Sequence, residues 1–230
     1  MLSIVIPAYN EEKRISATVK SYHSYFKRVL RNFEIIVVCD GCTDNTPNIV
    51  RKIALKNKKV RLLTFGYKLG KGGAIIRGFD ASKGSIIGFT DADEAVSPTD
   101  FHGMLKKLDE FDCVIASRRV KGAVILKKQP FQRRLSSKVF NVVINYLFCL
   151  GISDTQCGAK LMHREVYNTI KGKIKSAGFE FDVELLWRIK RAGFSILEYP
   201  ISWKHTEHSK FKLRKGPKMI IFILYLRVFR

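Results

Sequence analysis

Glu34 to Thr46 read EIIVVCDGCTDNT, a continuous apolar run that stops at an Asp-Gly turn. Taken for its cysteines, the stretch has the C-x-x-C spacing of Cys39 and Cys42, as used by zinc sites and redox pairs. Taken for its hydrophobicity, it is a buried strand that delivers Asp40 to its end. Four other runs have the same texture: LSIVIPAY (2–9), VRLLTF (60–65), SIIGFT (85–90) and CVIAS (113–117). Polar, helix-compatible stretches separate them. Continuous apolar strands alternating with helices predict an α/β fold with a mostly parallel sheet covered on both faces. Ligands bind such sheets beyond the carboxyl ends of the strands. Pro7-Ala8-Tyr9-Asn10-Glu11, Asp40-Gly41 and Asp91-Ala92-Asp93 stand at those ends.

A chain of 230 residues with 46% hydrophobic content holds one sizeable core and is not disordered. Its five cysteines (39, 42, 113, 149 and 157) are an odd, scattered set, mostly in or beside apolar runs. Buried thiols in a reducing compartment are expected, not a disulfide framework. No N-x-[ST] sequon occurs and no basic leader precedes the first strand. The expected location is the cytosol or the cytosolic face of a membrane.

Lys plus Arg number 42 against 20 Asp plus Glu, a net charge of +22. That surplus favours an anionic partner: nucleic acid, nucleotide phosphates or an anionic lipid surface. No nucleic-acid-binding motif is present, so nucleic acid is not expected. Most carboxylates fall in 1–112, whereas 118–138 and 203–230 are strongly basic. Two apolar stretches with basic margins lie in the second half, FQRRLSSKVFNVVINYLFCLGI (131–152) and GPKMIIFILYLRVFR (216–230). Each falls short of the ~18–20 uninterrupted apolar residues that span a bilayer. Both suit core helices or helices lying in a membrane interface, and their coincidence in the basic half favours the interface. The expected division is a catalytic domain over 1–215 and a membrane-associating helix over 216–230.

GFTDADEA (88–95) sets Asp91 and Asp93 just past an apolar strand, where alternate residues share a face. Mg²⁺ takes one or two such carboxylates together with substrate phosphates. Upstream, GYKLGKGGAIIRGF (66–79) offers Gly70, Gly72 and Gly73 for close backbone approach to a ligand, and Lys71 and Arg77 for phosphate charge. It fits neither G-x-G-x-x-G nor the Walker pattern.

Together with IVIPAYNEEKRI (4–15), these segments resemble, in order and spacing, the family 2 glycosyltransferases of GT-A fold. ASRR (116–119), DTQCGAKLMHREV (154–166), FEFDVELLWRIKRAG (179–193) and ISWKHTEHSK (201–210) are similar to the dolichyl-phosphate glucose synthase branch, close to the mannose synthases. The resemblance covers residues 3–212. It implies that Pro7, Tyr9, Asn10, Glu11 and Asp40 hold the nucleoside, with Cys39 where an acidic residue often precedes the Asp. It places Lys71 and Arg77 near the diphosphate, and Ala92 with Asp91 and Asp93 at the nucleotide sugar. It assigns Mg²⁺ or Mn²⁺ to Asp91 and Asp93; Ala95 stands where mannose synthases can add a Gln ligand, leaving that place to water. Arg118, Arg133, Arg134, Ser137 and Lys138 would hold a lipid phosphate. Asp182 and Glu184 would touch sugar hydroxyls, orient basic residues, or simply stabilise a helix N-terminus.

The implied reaction is inverting transfer of glucose from UDP-glucose to a dolichyl or polyprenyl monophosphate. The alternatives are GDP-mannose as donor, or a saccharide hydroxyl as acceptor, which would need a catalytic carboxylate such as Asp182. On this reading the C-x-x-C cysteines are packing. Zinc would need two more ligands, with only His205 and His208 as candidates, and Asp40 between the cysteines would oppose thiolate formation.

Overall fold

The computed structural model describes residues 1–127 and 131–204, with Phe222 and the helical Tyr225–Arg227; the side chains of 131–135 and of Lys204 are not among the described groups. The side chains of Arg133 and Arg134, both His205 and His208, and most of 216–230 therefore lie outside the described residues.

Strands β1 (Leu2–Ala8), β2 (Phe33–Asp40), β3 (Val60–Phe65), β4 (Ile86–Thr90) and β5 (Cys113–Ser117) are the five apolar runs. With β7 (Ala159–His163) and β8 (Ile196–Pro200) they form a seven-stranded sheet in the order β3-β2-β1-β4-β7-β5-β8. All pairs are parallel except those of β7, which runs antiparallel to both β4 and β5. The expected mostly parallel sheet is present. β6 (Val124–Lys127) and β9 (Ser202–Lys204) form a separate parallel ribbon.

Burial on both faces explains the unbroken hydrophobicity of the central strands. Val5, Ile36 and Val38 face one core with α3 (Lys71–Ala81) and α7 (Phe181–Arg191). Ile4, Ile6, Ile35, Val37 and Cys39 face the other, with α1 (Ile15–Val29), α2 (Thr46–Lys56) and α4 (Pro98–Lys106). Each such side chain contributes roughly 1.5–3 kcal/mol by leaving water. Cys39 is thus core packing, as read from the sequence.

Strand order reverses beside β1, with β2 on one side and β4 on the other. A crevice is expected at the carboxyl ends there. Since β7 is antiparallel, its first residues, not its last, share that edge: Thr90 pairs with Ala159.

The 131–152 stretch forms α5 (Phe131–Phe148), followed in the chain by α6 (Arg164–Ile170). Helix α5 buries Asn141, Ile144 and Phe148 and exposes Val139, Val142, Val143 and Tyr146. These exposed positions follow i, i+3, i+4, i+7 spacing, one face of a helix. Leu226 is buried in the α7-side core and Arg227 Nε donates to the Leu147 carbonyl at 2.8 Å. The described part of the 216–230 segment therefore docks on α5. No described helix is long and apolar enough to cross a membrane.

Candidate active site

Asp91 follows β4 directly, and its N–H donates to the Gly158 carbonyl at 3.0 Å. A Cβ on Gly158 would sit 2.0 Å from Asp91 Oδ2, so only glycine leaves the carboxylate its place. The Thr18 hydroxyl donates to the Ala92 carbonyl at 2.8 Å, and Asp93 Oδ1 accepts from the Ala95 N–H at 3.2 Å. Arg14 links the second carboxylate to the first loop: it forms a two-nitrogen pair with Glu11 and stands 3.9 Å from Asp93. Partial burial and the Asp93 charge push the Asp91 carboxyl up, against the pull of Lys71. A pair of like charges with solvent access (the Asp91 side chain is 37% exposed) fits a hard divalent cation completed by substrate oxygens. Among the described residues no cluster of three or more metal-ligating side chains exists.

Lys71 opens α3 with Nζ 3.0 Å from Asp91 Oδ1 and 3.3 Å from Asp182 Oδ2. Burial works against its charge, yet Asp182 and Asp91 together hold the ammonium above the ordinary lysine range. Gly70, Gly72 and Gly73 serve a different approach from the one expected. The N–H groups of Gly72 and Gly73 donate to the carbonyls of Gly178 and Ala177, and a Cβ on Gly72 would meet Phe181 at 2.5 Å. The glycines admit the α7 leader, which brings Asp182 to Lys71.

Residues expected at the nucleoside gather at the ends of β1 and β2. Asn10, at φ +54, exchanges hydrogen bonds with Thr43, and the Glu11 N–H donates to the Thr46 hydroxyl at 2.8 Å. Pro7 lies in β1, paired with Val38. The Lys68 ammonium lies 3.3 Å from the centroid of the Tyr9 ring. Asp40 accepts from the Leu69 N–H and, at 3.1 Å, from the Gly70 N–H, so it fastens the 66–70 loop that leads into Lys71. Asp40 thus does not bear on the cysteines as expected. The Cys42 thiol is drawn down to about 7, chiefly by a hydrogen bond from Cys39, and Cys39 is pushed up by the same bond.

Asp40→Ala should lower kcat/KM for the donor roughly 10–100-fold, the worth of one or two charged hydrogen bonds, because the loop that leads into Lys71 loses its fastening. Cys39→Ser with Cys42→Ser should cost less. Steady-state kinetics on both variants check this, and a larger loss from the cysteine pair would reverse the assignment.

Two further expectations need correction. Arg77 is exposed, about 9 Å along α3 beyond Lys71, and its charge reaches Tyr167 of α6. Glu184 is fully buried: Oε2 accepts from the N–H groups of Lys175 and Ser176 and from the Ser176 hydroxyl, and Oε1 from Arg188. It pins α7 to its leader and has no oxygen left for a sugar.

Arg118 and Arg119 follow β5 at the same edge. Arg118 grips Asp154 through two nitrogens at 2.7 and 2.8 Å and lies 5.2 Å from the Trp203 ring. Burial opposes the Asp154 charge, but Arg118 outweighs it and keeps the carboxyl below its usual range. Arg119, which the sequence did not single out, donates to Ser137 Oγ at 2.8 Å and to the Ser153 carbonyl at 3.0 Å. Lys138 is exposed beside Ser137. The group that reaches the start of α5 is therefore Arg119.

Lys160, Arg14 and Asp154 were also missed. A lysine inside the apolar GAKLMH run was the available signal for Lys160; nothing local marks the other two.

The glycosyl transferase family 2 model matches residues 3–171. The chain belongs to that family. Among curated relatives, glycosyltransferase AglD of Haloferax volcanii is 30% identical over 92% of this transferase, which spans 34% of AglD. The human dolichyl-phosphate β-glucosyltransferase is 34% identical over 91% of this chain and 69% of its own length. Among solved structures, glucosyl-3-phosphoglycerate synthase from Mycobacterium tuberculosis, in complex with Mn²⁺, UDP and glucosyl-3-phosphoglycerate, superposes with TM-score 0.72. At 19% identity, over 99% of this transferase and 79% of that chain, it shares the fold.

Proposed function

We propose that this transferase moves glucose from UDP-glucose onto a dolichyl or polyprenyl monophosphate, inverting the anomeric carbon. The reading rests on the relatives named as dolichyl-phosphate β-glucosyltransferases and on one observation in the site, the state of Asp182. A hydroxyl acceptor needs a base, and Asp182 was the best candidate. Burial opposes its charge, but Lys160 at 2.6 Å and Lys71 at 3.3 Å outweigh it and hold the carboxyl below its usual range. Such a carboxylate is a poor proton acceptor. A phosphate monoester oxygen is already anionic and needs no base. The chain's tasks are then to align donor and acceptor and to balance their like charges.

Asp91 and Asp93 would hold Mg²⁺ or Mn²⁺, which supplies positive charge to the departing nucleoside diphosphate. Lys71 adds a fixed ammonium beside them. Asp40 and Arg14 fix the loops that carry Lys71 and Asp93. Arg119, Ser137 and Lys138 form the phosphate-facing group at the start of α5, with Arg118 anchoring the loop around Asp154. A donor panel of UDP-glucose, GDP-mannose and UDP-galactose with polyprenyl phosphate tests the reading. Radiolabel should enter the organic phase from UDP-glucose; label from GDP-mannose alone would favour the mannose alternative.

The acceptor places the enzyme at a membrane surface. Val139, Val142 and Tyr146 of α5 are 55, 68 and 85% exposed, and Leu126 of β6 is 66% exposed. The Arg119–Ser137 bond ties the segment before β6 to α5. This apolar relief with a basic margin suits adsorption to the cytosolic face of an anionic bilayer, without spanning it. In vesicle flotation, binding should weaken with salt without vanishing, because apolar burial is not screened. Val142→Glu with Tyr146→Glu should leave the protein at the bottom of the gradient; unchanged flotation would move the contact elsewhere.

A further inference from the structure

Lys160 carries a charge in a place where nothing about the strand requires one. It lies in β7 between Ala159 and Leu161, which face the α1/α4-side core, and its own side chain is 0% exposed on the opposite face. A buried ammonium is costly unless paired and hydrogen-bonded. Its bonds are to Asp182 Oδ1 at 2.6 Å and the Cys157 carbonyl at 3.0 Å. Asp182, 1% exposed, gives its other oxygen to Lys71, whose ammonium also meets Asp91. Lys160 and Lys71 stand on the same aromatic ring, 5.4 and 5.5 Å from the Phe89 centroid. Four charges thus form one chain, Lys160–Asp182–Lys71–Asp91, in which Lys71 is divided between two carboxylates.

We infer that Lys160 is a positioning residue: by neutralising half of Asp182 it keeps Lys71 from being drawn wholly onto that carboxylate, and so presents the Lys71 ammonium at Asp91, where the donor diphosphate is read to bind. The inference rests on that reading of the Asp91 site. Without the Lys160 charge, Asp182 would hold a full negative charge in a low-dielectric setting with Lys71 as the one cation left on it among the described residues. Lys71 would close on Asp182 and leave Asp91. Lys160 would then act on the nucleotide through Lys71 alone, touching neither nucleotide nor metal.

The test is a double-mutant cycle on UDP binding by calorimetry in Mn²⁺ buffer, with thermal unfolding recorded for every variant. Lys160→Gln should weaken UDP binding about tenfold in the parent, and less than about twofold in a Lys71→Gln background, since coupled residues are not additive. Equal weakening in both backgrounds, or a lowered Tm with UDP affinity intact, would make Lys160 a mere counter-ion and overturn the proposal. If Lys160→Gln does not fold, Lys160→Gln with Asp182→Asn removes both charges together. That variant should fold and bind UDP within about twofold of the parent, because nothing then draws Lys71 from Asp91; tenfold weaker binding would overturn the proposal. A crystal structure of Lys160→Gln gives a readout independent of any nucleotide. Lys71 Nζ should have left its present place between Asp91 and Asp182, and finding it unmoved would overturn the proposal. Failure of the parent protein to bind UDP would instead count against the donor reading.

Discussion

Asp91→Asn and Asp93→Asn are each expected to reduce transfer by at least about a thousandfold while leaving the fold intact. Each removes one of the two anionic oxygen donors at the end of β4, and a metal that stabilises a leaving diphosphate is worth several kcal/mol in the transition state. The fold should survive because neither side chain carries core packing. After Asp91→Asn, Lys71 still has Asp182 at 3.3 Å. The Asp93 loop keeps the Thr18–Ala92 bond and the Ser21 hydroxyl, which donates to Glu94 at 2.6 Å. EDTA should reproduce the loss and added Mg²⁺ or Mn²⁺ should reverse it. Rate measurements with circular dichroism and thermal melts decide the matter. Full activity in EDTA would remove the metal from the reaction.

Glu184→Ala should do the opposite, lowering stability by about 3–5 kcal/mol with little effect on the folded enzyme's donor KM. The carboxylate is fully buried, and its removal strands the Arg188 guanidinium, which is packed 4.4 Å from the Trp187 ring. Breaking a buried ion pair from one side leaves an uncompensated charge. It also frees the N–H groups of Lys175 and Ser176, which hold the α7 leader in place. For a domain of this size that corresponds to a fall of roughly 10 °C in Tm. A tenfold rise in donor KM at unchanged Tm would return Glu184 to the sugar.

Five of the nine described strands are legible from the sequence: β1, β2, β4 and β5 because a strand buried on both faces needs hydrophobicity at every position, and β3, a half-buried edge strand, through its apolar texture alone. The other four lack that signature, each for a visible reason. Lys160 interrupts β7, the four residues of β6 are all exposed, β8 is only half-buried, and β9 is three residues long. The D-x-D pair could be found because its position depends only on where β4 ends. Arg77 could not be placed that way: helix rise carries it about 9 Å past Lys71, whereas glycines and basic residues in one short segment read alike. Asp182 and Glu184 differ by two residues in the chain but have separate partners, two lysines for one and Arg188 with a backbone turn for the other. Arg188 is four residues along α7 from Glu184, but the two lysines and the turn come from β7, α3 and residues 175–176, and only tertiary structure joins those.

The reversed strand also bears on how the protein is made. β1 to β4 are complete by residue 90, yet the free side of β4 waits for Ala159–His163, roughly seventy residues later in synthesis. Until then a nascent chain presents Ile86–Thr90 as an open, apolar edge, the kind of template that recruits other chains. Pairings so distant in sequence form slowly. A ribosome-bound chain halted near residue 120 should therefore need chaperone cover, and one extended through β7 should not. The Asp91–Lys71 site would be the last part of the enzyme to exist, since Gly158 and Lys160 arrive with the strand that closes that edge and Asp182 only after it.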